Sequence, residues 1–487
     1  MEPGILPVAD GATPALDPSI HVLLLRGMII DHDTIFALSS GRPPAAIAVI
    51  RISGPRARVA LEKLIGRLPQ PRRAAVARVR DPDSSVVIDE GLALWFPGPN
   101  SETGEDTAEL QVHGGGAVIA AVLAALGKLE GYRPAEAGEF TRRAFENGRM
   151  DLTAVEGLAD LVAAETQAQR RQAFQHLKGL LGDRAETWRQ RLIEALALVE
   201  AGIDFSDEDD VPKDMMARAL EIIRPLADEI GEAGAGQGER LREGLRIAIA
   251  GPPNAGKSTL FNRLARREAA IVSPFPGTTR DVLELHLDLG GYPVTVLDTA
   301  GIRETGDPVE REGVRRAGEQ AAGADLVLWV VDATAIASET ATQGEANVAR
   351  PIEVPSGSAV WIVVNKMDLV KAEGKQRVES QFGRELTVHL LSSLTSVGVD
   401  ELVNALARFA DGFFTPEPAL VTRERQRAHL KETVLALRDA QNAAQDGREE
   451  IMAEQLRLAT RALGKLLGRV DVEDILDVIF RDFCIGK

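Results

Sequence analysis

Residues 245–250 read Leu-Arg-Ile-Ala-Ile-Ala and run directly into Gly251-Pro252-Pro253-Asn254-Ala255-Gly256-Lys257-Ser258. A short apolar run entering G-x-x-x-x-G-K-S, then the helical pattern Thr259 to Leu264, has the strand–loop–helix context of a phosphate-binding loop. The glycines let backbone N–H groups close around phosphate oxygens, and the helix start adds partial positive charge. Lys257 is placed to reach the β- and γ-phosphates, and the Ser258 hydroxyl to ligate Mg²⁺.

Three further elements follow in chain order. The apolar run Val294 to Leu297 ends in Asp298-Thr299-Ala300-Gly301, where the carboxylate can hold the magnesium shell and the Gly301 N–H can meet the γ-phosphate. The run Val360 to Val364 ends in Asn365-Lys366-Met367-Asp368. A carboxylate at Asp368 accepts from both N1–H and the N2 amine of guanine. Adenine presents no such pair, so the site would reject it by leaving buried groups unpaired. Leu391-Ser392-Ser393-Leu394 then offers a backbone N–H for guanine O6. Together these elements predict a GTPase.

Hydrolysis needs an oriented water. Many GTPases carry glutamine after the Asp298–Gly301 element, but this chain has Ile302. Val309-Glu310-Arg311-Glu312 offers carboxylates instead, and Glu310 is the candidate, although alone it reads more readily as a solvated glutamate at a helix start. Asn254 is either a turn residue or an amide-oxygen ligand for a monovalent cation beside the β- and γ-phosphates, a charge that an arginine supplies elsewhere. Ser273 to Asp281, with Gly277-Thr278-Thr279-Arg280, is the natural switch segment, and Thr279 can reach Mg²⁺.

These residues must be positioned by a chain of 487 residues, long enough for about three domains. Its 45% apolar and 26% charged composition is that of a globular protein with real cores. A net charge of −17 and 4% aromatics argue against a global nucleic-acid binder, so any such contact must be local or shared with a partner. A single cysteine, Cys484, excludes an intrachain disulfide and a cysteine-cluster metal site. No apolar run reaches the roughly 18 residues of a membrane span, and the expected location is the cytoplasm.

Residues 1–30 read as a mobile extension. Residues 31–147 mix β-rich runs (Ala46 to Ile52, Leu92 to Phe96) with a period-two stretch, Ala108 to His113, as in an α+β domain. From 148 to 243 the period becomes helical: Leu158, Leu161 and Val162, then Phe174, Leu177 and Leu181, then Trp188, Leu192, Leu196 and Val199. Asp204 to Asp210 reads as a solvated loop and Gly231 to Gly244 as a linker. Between 244 and 411, the runs Leu245 to Ala250, Val294 to Leu297, Leu326 to Val331 and Val360 to Val364 alternate with helical patterns, which predicts a parallel sheet covered on both faces. Helical periodicity returns in 412–487 with Leu430, Val434, Leu437, Leu456, Ala459, Leu463 and Leu466. The expected architecture is an α/β P-loop G domain inserted into an all-α helical domain, preceded by an α+β N-terminal domain.

The set GPPNAGKST, PGTTRD, DTAGIRE, NKMD, RISG, TGEDTAELQVHGG and a terminal Phe483-Cys484-Ile485-Gly486-Lys487 closely resembles the tRNA modification GTPases of the MnmE (TrmE) family, from about residue 31 to the C-terminus. The resemblance implies a tetrahydrofolate-binding N-terminal domain through which the chain forms a homodimer. It implies a partner, MnmG (GidA), that brings FAD and NADH. Their joint product is an aminomethyl or 5-carboxymethylaminomethyl group on the wobble uridine, position 34, of certain tRNAs. The one-carbon unit comes from a 5-formyl or 5,10-methylene tetrahydrofolate. GTP hydrolysis to GDP is implied to depend on potassium.

By motif, Asn254, Ser273, Phe275 and Thr278 correspond to the K⁺ ligands, and Ser258 and Thr279 to the Mg²⁺ ligands. Glu310 corresponds to the glutamate that orients the attacking water. Arg51, Glu109, Arg149 and Lys487 fall where the family contacts its folate, and Cys484 matches the cysteine of the modification chemistry. On the residues alone, Cys484 beside Phe480 and Phe483 reads as a small buried hydrophobe. The rival reading is a GTP-dependent assembly switch of the ribosome-biogenesis type, without modification chemistry.

Overall fold

The computed structural model describes residues 33–204, 214–235, 238–267, 269–271, 283–298, 323–337, 358–381, 387–414 and 419–470, with Leu476, Ile479, Phe480, Phe483 and Gly486 of the C-terminal segment. Residues 1–30 and most of the acidic run after Asp204 therefore lie outside the described residues. The chain forms two compact units, one of Met1–Met150 with Glu473–Lys487 and one of Asp151–Val472.

The first unit is built on a six-stranded sheet of order β3-β4-β5-β2-β1-β6. Its strands are β1 Thr34–Leu38, β2 Ala45–Ser53, β3 Ala75–Arg80, β4 Val87–Phe96, β5 Thr107–Gly114 and β6 Tyr132–Pro134. All pairs are antiparallel except β1 with β6. The period-two pattern decides the faces: Ala108, Leu110 and Val112 point into the core, while Glu109, Gln111 and His113 share the other face. Helices α1 (Ala57–Ile65) and α2 (Gly116–Gly127) cover the inner face with Leu61, Leu64, Val122 and Leu126. A third helix, α3 (Glu139–Glu146), buries Phe140 against Ile35 and Ala37.

Residues 473–487, read from the sequence as the end of the helical segment, cluster with this first unit. Phe480 and Phe483 are buried there, and a Cβ on Gly138 would lie 2.6 Å from the Phe480 carbonyl oxygen.

The second unit joins a helical bundle to a G domain. The bundle core comes from two distant stretches of chain: α6 (Gly182–Asp204) and α7 (Met215–Gly234) from one, α10 (Glu424–Gln445) and α11 (Glu449–Leu467) from the other. Trp188, Leu192, Leu226, Leu437, Leu456 and Leu463 interdigitate at its centre, fully buried or nearly so. Two shorter helices precede them, α4 (Leu152–Ala163) capped by Asp151 and α5 (Gln167–Leu177) capped by a Thr166–Gln169 capping box.

Two sequence expectations change here. Gly231 to Gly244 is not an open linker, because α7 continues to Gly234 and α8 spans Gly238–Glu243. Buried Ile230 and Leu241 extend the apolar stripe across the glycines, and Glu-Arg-Leu-Arg-Glu has good helix propensity. Phe174 does not face inward but is 46% exposed. The buried face of α5 is instead Ala168, Gln172, Ala173 and His176.

The G domain holds a second six-stranded sheet of order β12-β11-β10-β7-β9-β8, parallel throughout except for β8. Its strands are β7 Leu245–Ala250, β8 Leu283–Leu289, β9 Tyr292–Asp298, β10 Leu326–Asp332, β11 Ala359–Asn365 and β12 Thr387–Leu390. Because β7 lies between β10 and β9, connections diverge from it in both directions, and the crevice beyond the strands' carboxyl ends is where such sheets bind ligands.

Candidate guanine-nucleotide site

The phosphate loop leaves β7 at Gly251, whose φ of 143° and close approach to β10 both demand glycine: a Cβ there would lie 2.1 Å from the Val330 carbonyl oxygen. The loop is left-handed again at Asn254 (φ 59°) and Gly256 (φ 96°), with Ala255 fully buried between them. Gly256 then caps α9, Lys257–Ala265. These reversals turn successive N–H groups toward one concavity at a helix N-terminus. The Lys257 ammonium donates to the carbonyl oxygens of Gly251 (2.9 Å) and Pro252 (3.0 Å), inside the loop it would serve. Ser258 and Thr259 are exposed on the first turn of α9, and Asn254 is exposed on the loop.

Asn365 fastens this loop to residues 391–394, the loop expected from the sequence to read the base and termed the base-reading loop. Its Nδ2 donates to the Ala255 carbonyl oxygen at 2.9 Å, and its Oδ1 accepts from the Ser393 N–H at 2.9 Å. Asn365, Ser392 and Ser393 are all buried, and the Met367 N–H donates to the Leu391 oxygen. Lys366 takes a left-handed φ of 64° to turn the chain at the end of β11, and Asp368 stands exposed in the single 3₁₀ turn Met367–Leu369. Leu394 is exposed at the tip of the base-reading loop. Asp298 closes β9 at a buried position opposite Ile249 of β7.

Two residues absent from the sequence reading complete the frame. Asp332, at the end of β10, accepts from the Lys366 ammonium at 2.6 Å and from the Thr334 hydroxyl and N–H. Burial raises the Asp332 carboxyl, but these bonds outweigh it and hold the group below the ordinary carboxylate range. Arg263 of α9 donates to the carbonyl oxygens of Ser393 (3.1 Å) and Leu394 (2.7 Å), tying the phosphate helix to the base-reading loop. Asp332 ends an otherwise apolar strand and Arg263 lies in the last turn of α9, and nothing in one sequence pairs them with partners 34 and 130 positions away.

Thr299, Ala300, Gly301, Ser273, Phe275, Thr278, Thr279 and Glu310 lie outside the described residues. So do Cys484 and Lys487 of the proposed folate and modification chemistry.

In the first unit, Arg51 and Glu109 meet across β2 and β5. Nε and Nη2 of Arg51 donate to Oε1 of Glu109 at 3.1 and 3.0 Å, and Nη1 pairs with Glu102. Both Arg51 and Glu109 are mostly buried, with the Phe140 ring centroid 5.9 Å from the guanidinium. Arg149 is exposed beside Gly104, in the loop that also carries Glu102. That loop is held by Glu105, which accepts from Ser53 and from the buried Arg143, and by Asn147, which donates to the Thr103 oxygen. The TGED motif thus shapes the loop.

Family models match two parts of the chain, "GTP-binding protein TrmE N-terminus" at residues 34–149 and "MnmE helical domain" at residues 152–484. The chain is 56% identical over 460 residues to the tRNA modification GTPase MnmE of Bradyrhizobium sp. (strain BTAi1), covering 94% of this chain and 99% of that protein. It is 51% identical over 463 residues to the protein of that name from Parvibaculum lavamentivorans, covering 93% and 100%. Among solved structures, Era from Aquifex aeolicus bound to GDP and AlF4⁻ is 27% identical over 39% of this chain and 66% of that one, with a TM-score of 0.28.

Proposed function

The chain belongs to the MnmE family of tRNA modification GTPases, and from that premise we propose that it hydrolyses GTP to drive modification of the tRNA wobble uridine. The observation that carries the reading is the Asn365 bridge, which holds a phosphate loop and a base-reading loop at a fixed spacing on the strand ends. Lys257 and the α9 N-terminus bind the phosphates, while Asp368 and the Ser393 loop select guanine. Ser258 and Thr279 would hold Mg²⁺, which would offset phosphate charge when bound. Asn254, with Ser273, Phe275 and Thr278, holds K⁺, and the exposed left-handed turn at Asn254 suits an oxygen ligand facing the phosphates. Glu310 orients the water.

In the same reading the chain is a cytoplasmic homodimer that works with MnmG, whose FAD serves the redox step. Arg51, Glu109, Arg149 and Lys487 bind a tetrahydrofolate derivative. The mostly buried Arg51–Glu109 pair fits a heterocycle that presents both donors and acceptors. Cys484 serves the modification chemistry. No helix among the described residues is long and apolar enough to cross a membrane.

Two arms test the proposal. Nucleoside analysis of tRNA from cells lacking this chain should show loss of the aminomethyl-type wobble uridines, restored by the wild-type gene. An unchanged nucleoside profile would refute the modification role. GTP turnover by the purified protein should be faster in KCl than in NaCl at equal ionic strength, and equal rates would remove the cation role of Asn254.

A further inference from the structure

A net charge of −17 sets the chain as a whole against polyanions. Residues 167–191 run counter to it, with six Lys or Arg and two acidic residues. Helix α5 sorts this stretch into two faces. Its exposed face carries Gln167, Arg170, Arg171, Phe174 and Gln175, with Lys178 just beyond the last turn. Spacings of four place Arg170, Phe174 and Lys178 in one row. The Lys178 ammonium lies 5.6 Å from the Phe174 ring centroid, and Arg170 donates to Gln167. Among the described residues, no carboxylate forms an ion pair with Arg170, Arg171 or Lys178.

Past Gly179 the chain turns into α6, and a depression of about 460 Å³ opens there, lined by Gln175, Lys178, Asp183, Arg184 and Thr187. Glu229 forms its wall and accepts from Trp188 (3.0 Å), Arg184 (3.2 Å) and Arg191 (2.9 Å). One carboxylate thereby fixes two guanidiniums, each a fork of five donors of which Glu229 takes one.

We propose that the outer face of α5, with this adjoining depression, docks the sugar–phosphate backbone of a structured RNA. The proposal rests on the reading that tRNA is the substrate, and it adds where this chain holds it. Forked guanidiniums, amides and a hydroxyl are the groups that contact phosphate and ribose. A single exposed aromatic is too little for a stacking platform, so the contact positions the RNA without reading bases. The face also lacks the apolar centre of a stable protein–protein interface.

The opposite face of α5 grips both chain segments that join the G domain to the bundle. Gln172 donates to the Gly238 oxygen and accepts from the Ala419 N–H, His176 bonds the Ala419 oxygen, and Gln169 donates to the Arg242 oxygen. RNA held on the outer face therefore loads the element that anchors both ends of the G domain.

The test is fluorescence anisotropy of labelled, unfractionated transfer RNA with the full-length protein over a range of salt. The triple variant Arg170→Glu/Arg171→Glu/Lys178→Glu should bind at least about tenfold more weakly and flatten the log–log salt slope by about 2–3. Circular dichroism melting checks that it folds. The milder Arg170→Gln/Lys178→Gln should lose affinity to an intermediate degree and decides the matter if the triple variant does not fold. Wild-type affinity and slope in a folded variant would overturn the proposal, as would absence of salt-dependent tRNA binding by the wild-type protein. Variants that keep RNA binding but lose a protein partner would reassign the face to that partner. The modification reading is judged apart from all of these, by the nucleosides of cellular tRNA.

Discussion

At the scale of single residues, the nucleotide site depends on positions where a side chain cannot be tolerated. A Cβ on Gly256 would lie 2.2 Å from Nδ2 of Asn365, and the φ of 96° is itself unfavourable for alanine. Gly256→Ala should therefore break the amide bridge between the two loops. We expect GDP affinity, measured by calorimetry, to fall at least tenfold, with a stability loss of about 1 kcal/mol or more. Unchanged affinity would show that the bridge does not hold the loops at their binding distance. Both glycines of the loop were legible in the sequence. Their reasons were not, because the Val330 carbonyl and the Asn365 amide come from strands 79 and 109 residues further along.

At the scale of elements, α5 shows how a hydrophobic pattern can mislead. Its Phe174 fits an inward helical stripe in the sequence yet stands exposed, while Gln172 and His176 are buried. The inward face makes hydrogen bonds to two other segments, and such bonds are formed only where polar side chains replace apolar ones. His176 sits among Asp160, Glu156 and Arg423, and its Nδ1 has no partner among the described residues. Burial pushes its imidazole below the ordinary value, against the Ala419 carbonyl, Asp160 and Glu156. Asp160 is pushed up by the same burial in spite of its 2.6 Å pair with Arg423.

The pH dependence follows from a histidine that titrates lower in the folded state than in the unfolded one. Near neutrality both states are uncharged there, and the contribution to stability is whole. As pH falls below about 6.5 the unfolded chain takes up the proton first, so stability declines until the depressed folded value is reached. The melting temperature should thus drop more between pH 7.5 and 5.5 in the wild type than in His176→Gln, whose amide can still donate to Ala419. Parallel pH profiles would show that His176 does not contribute this acid sensitivity.

At the scale of the whole molecule, the two ends of the described chain share one unit, with Gly486 so close to β1 that a Cβ would lie 2.1 Å from the Leu38 carbonyl oxygen. Phe480 is 3% exposed with its ring centroid 5.9 Å from that of Phe483. Phe480→Ala should cost roughly 3 kcal/mol of local stability by leaving a cavity. Hydrogen exchange should then accelerate across residues 34–150 and remain unchanged in the G domain. Acceleration throughout residues 151–472 instead would mean that the C-terminal segment supports the second unit.

The phosphate loop and the strands that lead into the site were legible along the chain, because such loops and alternating strands are written in consecutive residues. Leu245 to Ala250 is a strand as read, and Asp298, Asn365 and Asp368 stand at or just beyond strand ends as expected. The partners of these and other polar side chains emerge on folding alone: Asp332 for Lys366, Arg263 for the Ser393 loop and Glu102 for Arg51 of β2. Folding also decided that α5 turns its polar side inward and that the C-terminal segment belongs with the first unit. Each of these is a meeting of groups far apart along the chain, fixed by how sheets and helices pack, and local periodicity carries no record of such meetings.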